Sequence, residues 1–78
     1  MRQRQLRLVV TFHTTAAAVA TEALCRRMGL EGKLISVPRR LTSDCGMAWS
    51  APPDQRQTLE DLLQRAAIET AGFHLLEL

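Results

Sequence analysis

The chain has 78 residues, of which 46% are hydrophobic and 23% charged, and its net charge at pH 7 is +2. This length and balance predict one globular domain over residues 1–78, and they exclude a second domain, intrinsic disorder and a membrane-spanning helix of about 20 apolar residues. The weak positive charge and the three aromatic residues give no support to nucleic-acid binding.

The first third of the chain predicts a strand followed by a helix. Residues 6–12 place apolar side chains at every second position, the pattern of a β-strand. Thr14 or Thr15 then caps a helix over residues 16–28. The predicted apolar stripe of that helix consists of Ala17, Ala20, Leu24 and Met28.

Two further strands are predicted around a polar loop. Residues 33–37 form the second strand, which Pro38 ends because proline cannot donate to a strand ladder. Residues 38–45 are the loop, and residues 47–51 are the third strand.

The last third predicts a second helix and a fourth strand. The helix covers residues 54–67, and Asp54 followed by Gln57 resembles a capping box at its start. Its predicted apolar stripe is Leu59, Leu62, Leu63 and Ala66. Residues 73–78 form the final strand.

The element order βαββαβ predicts an α+β fold, the ferredoxin-like two-layer sandwich with an antiparallel sheet in the order 4-1-3-2. In this topology the end of the first strand, the start of the first helix and the 38–45 loop share one end of the sheet. Residues far apart in the chain are therefore expected to meet there: His13, Thr14, Thr15, Arg39, Arg40, Ser43, Cys45 and, from the fourth strand, His74.

Both helices of this sandwich cover the same face of the sheet, so the other face needs a cover of its own. Val9, Thr11 and Trp49 are candidates for that helix-free face, with a core position as the alternative for Trp49. An apolar open face predicts a homodimer that covers it.

The two cysteines, Cys25 and Cys45, fit no CxxC pattern and are too few for a disulfide-stapled domain, so we expect a reducing cytoplasmic location. Cys25 lies on the first helix beside its apolar stripe, which predicts the role of a small hydrophobic residue.

Cys45 lies instead in the polar loop, next to the flexible Gly46. The reactive form of cysteine is the thiolate, which the start of the first helix and Arg39 and Arg40 would favour and Asp44 would disfavour. The alternative is a loop cysteine without a role.

Metal and catalytic signatures are weak in this sequence. His13 and His74 could approach Cys45, but their spacing is not that of a zinc site, and neither histidine has the partners of a catalytic triad. We therefore predict that the protein holds no metal ion and no cofactor.

Three segments together resemble the selenium/sulfur carrier-protein-like family of small bacterial domains. They are VTFHTT at 10–15, LISVPR at 34–39 and SDCGMA at 43–48. The resemblance extends over residues 8–76 and is most specific at the Cys-Gly turn that follows Pro-Arg. It implies that Cys45 is the carrier thiol, with Gly46 and Arg39 as its motif neighbours.

The resemblance implies a protein that is not an enzyme. It would hold a persulfide or selenosulfide on Cys45, receive the atom from a donor such as a cysteine desulfurase, and pass it to an acceptor protein. The candidate binding residues around this thiol are Gly46, Arg39, Arg40, Ser43, Thr14, Thr15 and His13. The alternatives are a protein-interaction module of the same fold, in which Cys45 is structural, and a small-anion sensor that uses Thr14, Thr15 and Arg39.

Overall fold

A computed structural model describes residues 4–78 of the chain. The elements in chain order are β1 (Leu6–Thr11), α1 (Thr15–Arg27), β2 (Lys33–Ser36), β3 (Met47–Ala51), a 3₁₀ turn (Pro53–Gln55), α2 (Arg56–Arg65) and β4 (Gly72–Glu77). The predicted βαββαβ order is confirmed. Of the helices in this part of the chain, none has both the length and the apolar character to cross a membrane.

The four strands form one antiparallel sheet in the order β2-β3-β1-β4, which is the predicted 4-1-3-2 order of a ferredoxin-like sandwich. In the middle of the sheet Val10 lies opposite Trp49 on one side and Phe73 on the other, and Trp49 lies opposite Leu34. Since side chains alternate between the faces of a sheet, this row shares one face.

The core lies between this face and the two helices. It consists of Leu8, Val10, Phe12, Trp49 and Ala51 from the sheet, with Ala18, Cys25, Leu59 and Leu63 from the helices. Trp49 is fully buried there, so its proposed place on the helix-free face was wrong and the alternative, a core position, is correct. The register decides this, because Trp49 pairs with Val10 and not with Val9.

Of the stripe predicted for α1, Ala17 and Leu24 pack against the core as expected, but Ala20 and Met28 are exposed. The buried residues are Ala18, Thr21 and Cys25. Alanine is present on several sides of this helix, so apolarity alone does not fix the face that packs. Thr21 can be buried because its hydroxyl donates to the carbonyl of Ala17 at 2.9 Å.

The start of α2 differs from the predicted capping box. The 3₁₀ turn occupies the expected first residues, Gln55 is the N-cap without a side-chain hydrogen bond, and Gln57 donates to Asp61 at 3.0 Å instead. Leu59 and Leu63 are buried as predicted, while Leu62 is half-buried and Ala66, beyond the end of the helix, is exposed.

The centre of the helix-free face is buried within a single chain. Val9 and Ala48 are 0% exposed and Thr11 and Ser50 are 2% exposed, although none of them belongs to the helix-side core. Pro38 borders a groove that it shares with Ser50 in the middle of the sheet, which brings the loop after β2 against this face. The argument from an open apolar face therefore no longer supports the homodimer, which stays an untested prediction.

Candidate functional site

Cys45 lies in a tight turn that leads into β3. Gly46, the next residue, has a φ of +75°, a left-handed conformation that favours glycine over any residue with a Cβ. The N–H of Val37 donates to the carbonyl of Gly46 at 3.0 Å and closes the base of the loop. Cys45 itself is half-buried and packs against the edge of the helix-side core.

The sulfur of Cys45 makes two hydrogen bonds to the backbone of Met47. The N–H of Met47 donates to Sγ at 3.3 Å, and the thiol donates to the carbonyl of Met47 at 3.2 Å. The turn therefore provides one donor and one acceptor to the same sulfur atom. These contacts fix the direction of the Cβ–Sγ bond in a residue that is half-buried.

Side chains of the loop attach this turn to the end of β1. The hydroxyl of Ser43 donates to the carbonyl of Phe12 at 2.9 Å and accepts from the N–H of Cys45 at 3.4 Å. Nδ1 of His13 lies 3.0 Å from Oδ2 of Asp44. The loop and the end of β1 thus meet at one end of the sheet, as the predicted topology requires.

Thr14 and Thr15 have structural surroundings that differ from each other. Thr14 is the N-cap of α1, and its hydroxyl accepts from the N–H of Ala17 at 3.1 Å. Thr15 is the first residue of the helix and is exposed. Of the two caps considered from the sequence, Thr14 is the one that forms.

Arg39 and Arg40 lie elsewhere. Both are exposed, and they line a depression together with Arg4, Leu76 and Glu77. Because Leu76 and Glu77 pair with the first residues of β1, this depression borders the end of the sheet opposite to Phe12. Within residues 4–78, neither arginine forms an ion pair or hydrogen bond with the Cys45 turn.

His74 is also separated from Cys45. It pairs with Val9 and so lies on the helix-free face, where a Cβ added to Gly72 would be 2.9 Å from its Nε2 atom. Cys45 packs on the helix side. Over residues 4–78 no group of three or more His, Cys, Asp or Glu side chains is close enough to share a metal ion.

Cys25 occupies a different environment from Cys45. It is fully buried on α1, and burial raises the pKa of its thiol above the usual value of 9.0 because the charged thiolate would lose its hydration. Its position in the centre of the core, not at the edge of a stripe, fits the predicted role of a small hydrophobic residue.

Two parts of this site were not predicted from the sequence. The hydrogen bonds of the sulfur come from the backbone of Met47, which no side-chain pattern reveals. Asp44 was considered only for its charge beside Cys45, whereas it contacts His13. The contact could have been inferred from the sequence, because Asp44 precedes the loop cysteine and His13 follows the first predicted strand, which meets this loop.

The model of one protein family, described as "Putative Se/S carrier protein-like", matches residues 7–75. The match covers nearly the whole chain, and the chain belongs to this family. Cys45, Gly46 and the loop that holds them lie inside the matched range. Comparisons with curated proteins and with solved structures find no match.

Proposed function

We propose that this protein is a non-enzymatic sulfur or selenium carrier of the reducing cytoplasm that holds the transferred atom on Cys45. The observation that carries the proposal is the Cys45 turn, in which the sulfur of a half-buried residue is oriented by two hydrogen bonds to the backbone of Met47. The membership of the family and the free state of both cysteines support it.

The transfer step needs no external oxidant. The thiolate of Cys45 attacks the terminal sulfur of a donor persulfide, R–S–SH, so that a new S–S bond forms at Cys45 and the donor's S–S bond breaks. The electron pair of the broken bond leaves with the donor as R–S⁻, and the terminal sulfur keeps its proton. An acceptor nucleophile removes the same atom in the reverse sense, and selenium takes the place of that sulfur in a selenosulfide.

The turn suits both states of the carrier sulfur. In the free thiol the S–H donates to the carbonyl of Met47, and in the persulfide Sγ has no proton left to donate. The N–H of Met47 can donate to Sγ in either state. Loading thus costs one hydrogen bond and frees the new terminal atom from the turn, which favours its later removal.

The test is intact-mass analysis after incubation with a small-molecule persulfide such as cysteine persulfide. We expect the wild-type chain and Cys25→Ser to gain one sulfur atom, roughly 32 Da, and Cys45→Ser to gain none. Peptide mapping should place the added atom on residues of the Cys45 loop.

A peptide of residues 41–49 is the matched control for the contribution of the fold. Because the peptide has Cys45 without a fixed Met47 contact, we expect the folded protein to pass the atom to an added thiol faster than the peptide does. If Cys45→Ser still gains the atom, or if the peptide and the protein behave identically, the carrier proposal is wrong and an interaction module with a structural Cys45 replaces it.

A further inference from the structure

The helix-free face of the sheet carries an open groove of about 700 Å³. Arg7 of β1 and Ser50 of β3 form its floor, Lys33 and Ile35 of β2 form one wall, and Pro38 borders it from the loop. The volume lies in the range of small-molecule sites, roughly 300–1,000 Å³. The groove is on the opposite side of the sheet from the packing of Cys45.

Arg7 is the main polar group of this groove. Its side chain is only 19% exposed, and its Nε–H donates to the hydroxyl of Ser50 at 3.1 Å, which fixes the plane of the guanidinium. The carboxylate of Glu31 lies 3.9 Å from Nη1, beyond hydrogen-bond distance, and its side chain is 75% exposed. The outer edge of the guanidinium is therefore held in place for the paired hydrogen bonds that an oxyanion accepts.

Basic side chains outnumber acidic ones around the groove. A second depression adjoins it through Pro38 and Leu78 and is lined by Arg4, Arg39 and Arg40. Together the two depressions include five of the nine basic side chains within residues 4–78 and two of the eight acidic ones, Glu31 and Glu77. An anion that approaches this face meets a favourable field from several directions.

We propose that this groove binds a small organic anion. Its carboxylate or phosphate group lies between Arg7 and Lys33, and its apolar part lies against Ile35, Pro38 and Leu78. No aromatic side chain lines the groove, because Trp49 and Phe12 are buried on the helix side. This favours a small anion over single-stranded nucleic acid, whose binding uses stacked aromatic rings.

The experiment is titration of the ¹⁵N-labelled protein with phenyl phosphate and with benzoate, followed by NMR and calorimetry, with benzyl alcohol as the neutral analogue. We expect the largest shifts at the amides of Arg7, Lys33 and Ser50, and no binding of benzyl alcohol at the same concentration. Lys33→Gln should weaken binding about tenfold, the effect of one charge-assisted hydrogen bond. Glu31→Gln should strengthen binding, because it removes a carboxylate that competes for Arg7.

Arg65→Gln, at the end of α2, is the control that removes the same charge at a distance from the groove. Arg7→Gln is compared only if its circular dichroism matches that of the wild type; Lys33→Gln and Glu31→Gln change exposed side chains and carry the test in either case. The proposal is overturned if Arg65→Gln weakens binding as much as Lys33→Gln, or if Glu31→Gln does not strengthen it. A single-stranded oligonucleotide that displaces phenyl phosphate at far lower concentration would also overturn it, in favour of nucleic-acid binding.

Discussion

Cys25 and Cys45 have the same side chain, but their surroundings differ in burial and in hydrogen bonding to the sulfur. Cys25 is enclosed by the helix-side core, where no water hydrates a thiolate, whereas Cys45 is half-buried and its sulfur has two backbone partners. The persulfide experiment depends on this difference, since reaction at sulfur requires both the thiolate and access to it.

The buried thiol predicts a dependence of stability on pH. The pKa of Cys25 is raised above 9.0 in the folded state and has its ordinary value in the unfolded chain, so above about pH 9 the folded state binds more protons. The contribution of Cys25 is complete below pH 9 and is lost as the pH rises through the folded pKa. We expect the unfolding free energy of the wild type to fall more steeply above pH 9.0, the ordinary pKa of the thiol, than that of Cys25→Ala.

Urea unfolding over this range measures the difference in slope, whose upper limit for one group is about 1.4 kcal/mol per pH unit. The chain has no tyrosine, so no phenol group titrates in the same alkaline range. Cys45→Ala is the matched control and should keep the steep wild-type slope. Parallel curves for the wild type and Cys25→Ala would contradict the assignment.

At the scale of elements, the start of β2 depends on the absence of a side chain at Gly32. A Cβ at this position would lie 2.5 Å from the ring of Trp49 and 2.8 Å from the carbonyl oxygen of Ser50. Both are fixed, the first by the core and the second by the ladder between β2 and β3. The close approach of backbone and indole thus sets how β2 joins the sheet.

We expect Gly32→Ala to lower the unfolding free energy by roughly 2–3 kcal/mol, because neither neighbour can move without disturbing the core. Gly29→Ala is the comparison: its φ of +73° is left-handed, but nothing lies within 4 Å of the added Cβ, so only about 1 kcal/mol is expected. Urea denaturation of both variants tests this. Equal losses would show that the contact with Trp49 does not decide the cost.

The order of elements and their pairing were predictable because each rests on a local pattern. Alternation indicated β1, Thr14 and Thr15 were the two candidate caps of α1, and Leu59 and Leu63 marked the packed side of α2. Only part of the packed face of α1 was predictable, since alanine occurs on several sides of the helix and the hydroxyl of the buried Thr21 is satisfied by its own helix. Which face of α1 is buried depends on how the helix packs against the sheet, and that packing is a tertiary contact.

At the scale of the whole molecule, the centre of the sheet is buried on both faces. The helices cover one face, and the central positions of the other, Val9 and Ala48, have no exposed surface in a single chain. The long connection between β2 and β3 reaches both of these regions. It holds Cys45 at the end of the sheet beside Phe12, and its residue Pro38 borders the groove on the helix-free face. Among residues 4–78, the exposed large apolar residues are Leu6, Leu75 and Leu78 along the β1–β4 pair, and Val19 and Met28 on α1 and its C-cap.

This coverage predicts a monomer in solution. Since the apolar centre of the helix-free face is already buried, association of two copies would gain little apolar burial there. Multi-angle light scattering at high micromolar concentration should give a mass near 8.7 kDa. Twice that mass would restore the homodimer expected from the sequence and would point to the groove or the β4 edge as its interface.

The sequence by itself determined the fold class, the sheet order and the segment that contains Cys45, because periodicity, capping and the Cys-Gly motif are local properties of the chain. The tertiary structure alone decided which groups surround each site. Arg39 and Arg40 lie away from Cys45, whose sulfur contacts the backbone of Met47 instead. On the other face, Arg7 donates to Ser50 at the floor of a groove. The physical reason is that strand register and loop path bring together groups that are distant in the chain, and no local pattern encodes those contacts.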